Sequence, residues 1–131
     1  MASPRIGKTK RTLSTTNGES AMAFLKGDVV LVPFPFTDLS AAKTRPAVVV
    51  STSSFERTTG NITVAMITST QQVTPYDCTL VDWKKANLLF PSWVRAKLVT
   101  LSPALVRYHP GRLSRRDLAE VEKRVRHALG L

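Results

Sequence analysis

Apolar and polar residues follow two different periods along this chain, and the change between them divides it. From Asp28 onward, short runs rich in β-branched residues alternate with clusters of turn formers, the pattern of an all-β unit. Residues 28–32 read as a strand that stops at Pro33, which has no backbone donor to offer a ladder. The stretch Pro33-Phe34-Pro35-Phe36-Thr37-Asp38-Leu39-Ser40 then reads as a loop, because its two prolines remove two ladder donors. Residues 46–51 form a continuous apolar run suited to a strand buried on both faces. Residues 61–68 form a second, entered through a Thr59-Gly60 turn, and residues 78–82 and 95–101 are shorter on signal but fit the same pattern.

At Ser114 the period becomes helical. Ser114 with Asp117 makes a capping-box-like start, and Leu118, Val121, Val125, Ala128 and Leu129 fall on one stripe. Arg116, Glu120, Lys123 and His127 occupy the opposite, solvated face. One amphipathic C-terminal helix should therefore close the domain. Residues 1–21 hold Arg5, Lys8, Lys10 and Arg11 among Ser, Thr and Gly with no apolar periodicity, and read as a basic tail or leader ahead of a domain spanning 22–131. Patterned sequence, and with it the folded unit, is expected to begin near Lys26.

Charge sharpens this picture. A formal net charge of +10 on 131 residues concentrates polyanions around the molecule, which points to nucleic acid or an acidic protein partner. The single cysteine, Cys78, rules out an intramolecular disulfide and a Cys-rich zinc site, and fits a reducing cytoplasm. No apolar run approaches the roughly 20 residues that cross a bilayer as a helix.

The common signatures of metal and nucleotide chemistry are missing: there is no His-Glu-x-x-His, no paired-cysteine pattern, no P-loop and no G-x-G-x-x-G. No cofactor and no metal are implied. A two-histidine ribonuclease would require His109 and His127 to converge, yet His127 should face water. Ser51, Ser53 and Ser54 lack a G-x-S-x-G elbow.

The segment Gly27-Asp28-Val29-Val30-Leu31-Val32-Pro33-Phe34-Pro35-Phe36-Thr37-Asp38-Leu39, followed by Lys43-Thr44-Arg45-Pro46-Ala47-Val48-Val49-Val50-Ser51, resembles the opening of the MazF/PemK toxin family. Ala65-Met66-Ile67-Thr68-Ser69, Pro91-Ser92-Trp93-Val94-Arg95 and Gly111-Arg112-Leu113-Ser114 extend the resemblance downstream. It implies a mainly β, SH3-like small β-barrel with a C-terminal α-helix, forming a homodimer. It further implies a toxin that cuts single-stranded mRNA without a metal until a cognate antitoxin binds it.

By the same resemblance, Arg45 and Thr68 are the catalytic pair, and Phe34, Phe36, Lys43 and Ser69 are RNA-binding positions. The physics agrees for the pair. Attack of a ribose 2′-OH on its own phosphate places extra negative charge on the phosphorane, which a guanidinium fork meets bidentately and a hydroxyl can support. Phe34 and Phe36 either stack on a base or plug the barrel beneath their loop. Trp83 and Trp93 fit core or dimer interface better than base platforms, and Asp28 fits a turn. The chain departs from its relatives at their carboxylates: Leu39-Ser40-Ala41-Ala42 stands where some place an acid, and Ser102 aligns where others place Asp. For the 2′-OH proton, Asp38 is the nearest candidate acceptor in sequence and Arg45 a possible proton-transfer partner. Two other readings compete, a CcdB-like toxin that binds a protein such as gyrase and a non-catalytic RNA-binding module.

Overall fold

In the computed structural model, residues 23–34, 43–71 and 74–131 are described. The elements run β1 (Asp28–Phe34), β2 (Lys43–Val49), α1 (Ser53–Thr59), β3 (Ile62–Thr68), β4 (Cys78–Thr79), β5 (Trp93–Leu101), a 3₁₀ turn (Pro103–Leu105), β6 (Tyr108–Arg112) and α2 (Arg115–Leu129). All six strands join one antiparallel sheet in the order β4-β5-β3-β2-β1-β6. The sheet curls into a half-barrel with the C-terminal helix packed on it, so the mainly β class and the closing helix are as expected. The expected basic tail lies outside the described residues.

Strand alternation gives the sheet two buried faces. Val30, Val32, Phe34, Ala47, Val49, Ile62, Val64 and Met66 fill one side with Phe24, while Val29, Val48, Ala65, Ile67 and Val94 point to the other. Helix α2 covers the second side through Val121, with Leu118 and Val125 half-buried beside it. Ala128 and Leu129 continue the stripe in sequence but are exposed, because the sheet ends before the helix does. Cys78 belongs to this second core, where burial foremost, and then the Glu120 charge, pushes its thiol pKa up to about 11. It is a packing residue.

Helix α2 is fixed at its start as the sequence suggests, with the Ser114 hydroxyl accepting from Asp117 N. The Asp117 carboxylate reaches beyond the helix. It is buried and accepts from Val81 N at 3.0 Å and Asp82 N at 2.8 Å, pinning the turn that follows β4. Asp82 in turn accepts from the Ser114 hydroxyl and pairs with Arg116. Those contacts explain why the strand expected over 78–82 ends at Thr79: the donors of Val81 and Asp82 are taken by the helix.

Several expectations are corrected. Strand β1 continues through Pro33 to Phe34, with Pro33 opposite Thr44 and Phe34 opposite Lys43. Proline is tolerated because pairing with β6 ends at Leu31↔Tyr108, so beyond it one side of β1 is an edge where no donor is missed. Phe36 and Asp38 lie outside the described residues. Helix α1 was not expected. It buries none of its residues and is held by its ends, Thr52 accepting from Phe55 N and Gly60 in the left-handed region at φ 76°, so it leaves no apolar stripe to read. Strand β6 was missed as well, since Pro110 and Gly111 interrupt it. The folded unit also begins earlier than Lys26: Ala23 and Phe24 are buried, and Phe24 N donates to Glu56 Oε1 at 2.7 Å.

Asp28 anchors the β1 start as a turn residue. It is fully buried, accepts from Leu25 N at 2.8 Å, and lies 3.1 Å from an Arg112 guanidinium nitrogen and 3.5 Å from His109 Nε2. His109 and His127 do not converge, His109 lying edge-on to Phe24 and His127 exposed against Tyr76.

Candidate active site and nucleic-acid interface

The site grows from a break in one ladder. Strands β2 and β3 pair at Val49↔Val64, Val48↔Ala65 and Ala47↔Met66, and the pairing goes no further. Val50 N donates to Thr63 O, so the donors that β2 aims at β3 recur every second residue, at 50, 48 and 46. The third of these is Pro46, which has none. The ladder stops for want of a donor, and the strands part.

The same register carried two residues further sets Arg45 opposite Thr68 across the gap, on the face shared by Ala47, Val49, Val64 and Met66. Arg45 is exposed at this mouth, held in β2 by its pairing with Val32. Thr68 is half-buried, and its Oγ1 accepts from Thr70 N at 3.0 Å. A hydroxyl already accepting a backbone hydrogen bond keeps its own proton free to donate, so Thr68 can act as a donor in the cleft it lines.

A second irregularity completes the site from the other side. Between Ala65↔Leu98 and Ile67↔Val94 the register shifts, so that Arg95, Ala96 and Lys97 of β5 bulge opposite Met66 alone. The bulge turns Arg95 and Lys97 into the opening left by β2. The resulting cleft of about 290 Å³ is lined by Phe34, Arg45, Met66, Ile67, Thr68, Arg95 and Lys97. Phe34 and Met66 are nearly fully buried and make an apolar floor. Above it stand three cations, and among the described residues none of Arg45, Arg95 and Lys97 has an ion-pair partner. Elsewhere four of the described acids are engaged with basic side chains: Asp28 with Arg112, Asp82 with Arg116, Glu120 with Arg124 and Glu122 with Lys26. Concentrated positive charge of this kind draws polyanions to the cleft.

Of the six positions singled out in the sequence, Arg45, Thr68 and Phe34 come together in the cleft. Lys43 is exposed two residues before Arg45, and Ser69 is exposed one residue beyond Thr68; both flank the mouth without lining it. Phe36 lies outside the described residues. Arg95 and Lys97 were missed, although their spacing of two within an apolar strand is a legible sign of one polar face. Ser102, aligned with a family carboxylate, instead caps the 3₁₀ turn by accepting from Ala104 N and has no place in the cleft.

A small curled antiparallel sheet, backed by one C-terminal helix and split to expose unpaired cations, defines a compact basic β-protein built to hold a polyanion. The comparisons with known proteins make the class specific. Residues 25–129 match the model of the PemK-like, MazF-like toxins of type II toxin-antitoxin systems, and the chain belongs to that family. Among solved structures, an endoribonuclease from a mycobacterial species in complex with its cognate antitoxin superposes with a TM-score of 0.71 at 20% identity, covering 83% of this chain and 97% of that one. MazF from Deinococcus radiodurans superposes with a TM-score of 0.67 at 25% identity, covering 84% and 99%, and the MazE-MazF complex from the same organism gives 0.69 at 22%, also covering 84% and 99%. No curated protein matches the chain in sequence.

Proposed function

We propose that this chain is the toxin of a type II toxin-antitoxin pair and acts as an endoribonuclease on single-stranded mRNA, by attack of a ribose 2′-OH on the adjacent phosphate. The observation that carries this reading is the cleft itself: three cations without an ion-pair partner among the described residues, and a hydroxyl, surround a space open to a sugar-phosphate chain. Arg45 meets the phosphoryl oxygens with its fork, Thr68 donates a hydrogen bond to them, and Arg95 adds a second guanidinium as charge builds on the phosphorane. Phe34 forms the apolar floor. Lys43 and Ser69 hold the RNA backbone where it enters and leaves. None of these roles needs a metal or cofactor.

The products are a 2′,3′-cyclic phosphate and a 5′-OH. Incubating labelled RNA with the protein in EDTA should give cleavage, and a substrate with one 2′-deoxy sugar at the scissile nucleotide should resist it. Equal cutting of the deoxy substrate would sink the mechanism. Growth arrest with neither RNA cut would favour a gyrase-poison toxin over a nuclease.

The partner this charge distribution calls for is an antitoxin with an acidic segment able to cover the cleft, and two of the similar structures are toxin-antitoxin complexes. A homodimer belongs to the same reading. Leu89 and Phe90, 83% and 61% exposed, are apolar surface that a second copy can cover. Among the described residues no helix is long and apolar enough to cross a membrane, and a free buried cysteine suits the cytoplasm, where mRNA is met.

A further inference from the structure

Internal cleavage of RNA sets two proton problems. The 2′-OH loses a proton, and the departing 5′-oxygen must gain one, because an alkoxide is a poor leaving group. The described cleft meets these demands unevenly. Phe34, Met66 and Ile67 have no exchangeable side-chain proton. Arg45 and Arg95 hold theirs permanently. The Thr68 hydroxyl is a hydrogen-bond donor, fixed by Thr70 N, but too weak an acid to release its proton. No carboxylate, histidine or cysteine lines the space among the described residues. Among the described lining residues one group remains that can give up a proton: the Lys97 ammonium, with three N–H donors and no lone pair. The β5 bulge presents Lys97 to the cleft as an exposed side chain.

We propose that Lys97 is the general acid of the reaction, donating its Nζ proton to the departing 5′-oxygen. This rests on the ribonuclease reading. In the step, the 2′-oxygen forms a bond to phosphorus as its proton passes to water, and the bond from phosphorus to the 5′-oxygen breaks as that oxygen takes the proton of Lys97. The neutral amine then recovers a proton from water. Arg45 and Arg95 keep their charge throughout, which divides the labour: the guanidinium forks stabilise, and the ammonium transfers.

The test separates charge from proton transfer. Single-turnover cleavage is measured on two RNAs that differ only at the scissile linkage, one with the natural 5′-oxygen and one with a bridging 5′-sulfur, whose thiolate leaves without protonation. Lys97→Arg keeps the charge on an exposed side chain and leaves the core untouched. It should slow the oxygen substrate by about 10²- to 10⁴-fold, the usual span for general acid-base catalysis, and stay within a few-fold of the parent on the sulfur substrate. Lys97→Ala should also be rescued by sulfur, less completely because the charge is lost with the proton. An equal loss on both substrates would show that Lys97 acts as a fixed charge or a positioning group and would overturn the proposal. So would full activity of Lys97→Arg on the oxygen substrate. If the parent protein cuts neither RNA, the ribonuclease reading itself falls, an outcome distinct from either of these.

Discussion

Arg45 and Thr68 face each other across the gap where β2 leaves β3, two register steps beyond Ala47↔Met66, the last residues paired in the ladder. Their positions follow from the sheet, since one side chain hangs from each parting strand. Replacing Arg45 with Ala should cost about 10² to 10³ in the rate of RNA cleavage, the usual loss for one transition-state donor. Arg45→Lys should recover little of it, because a point charge does not reproduce the bidentate fork. Thr68→Ala should cost less than Arg45→Ala, and single-turnover rates on one RNA would rank the three variants.

Arg95 enters the cleft through the bulge and has no carboxylate partner among the described residues. Its removal should therefore appear in binding as well as in rate. For Arg95→Ala, the slope of log affinity against log salt for an uncleavable single-stranded RNA should become shallower by about 0.7, the release expected for one phosphate contact. An unchanged slope with a reduced rate would place Arg95 at the transition state alone.

The structural counterpart is Asp117, whose buried carboxylate serves Val81 N and Asp82 N while the Ser114 hydroxyl donates nearby to Asp82. Asp117→Ala strands two backbone donors at once and should destabilise the fold by about 2–4 kcal/mol, since an unsatisfied buried polar group costs about 1–3 kcal/mol. Asp117→Asn keeps one acceptor oxygen and should lose less. Urea titration followed by far-ultraviolet circular dichroism would measure both.

Acid should loosen the same corner. The Ser114 hydrogen bond first, then Arg116, holds the Asp82 carboxyl below its usual value of 3.8, and the Arg124 hydrogen bond does the same for Glu120 below 4.5. A carboxyl with a lowered folded-state pKa binds its proton less readily in the fold. Its contribution is complete above the unfolded-state value and is lost as pH falls through the folded one. The urea midpoint should thus be flat from about pH 7 to about pH 5 on account of these two groups and fall below that, and Asp82→Asn should flatten the acid limb. An acid limb of the same depth in that variant would assign the loss to other groups.

Much of this fold was readable because its periods are clean. The doubly buried strands at Ala47–Val49 and Ile62–Ile67 and the Ser114 cap are local patterns, and they fall where residue order puts them. What escaped was set by neighbours in space. Pro33 sits in a strand because β6 has already ended beside it, and α1 forms on its caps without an apolar stripe. In the site, Arg45 and Thr68 were legible through a family motif. For Arg95 and Lys97 the sequence shows only a shared polar face, because their direction into the cleft depends on a bulge whose existence is a property of the β3-β5 register.

Pro46 has a consequence beyond interrupting a ladder. A cleft between two strands would ordinarily be a transient fork, closing whenever donors and acceptors met and needing to be reopened by each RNA that arrived. By withholding one N–H at the point of divergence, Pro46 acts as a wedge: the bond that would draw the strands together next is missing, which favours the open cleft in the resting protein. The free energy of RNA binding is then not spent on breaking backbone hydrogen bonds, and a chain with an ordinary residue at position 46 would be expected to sit closed more of the time.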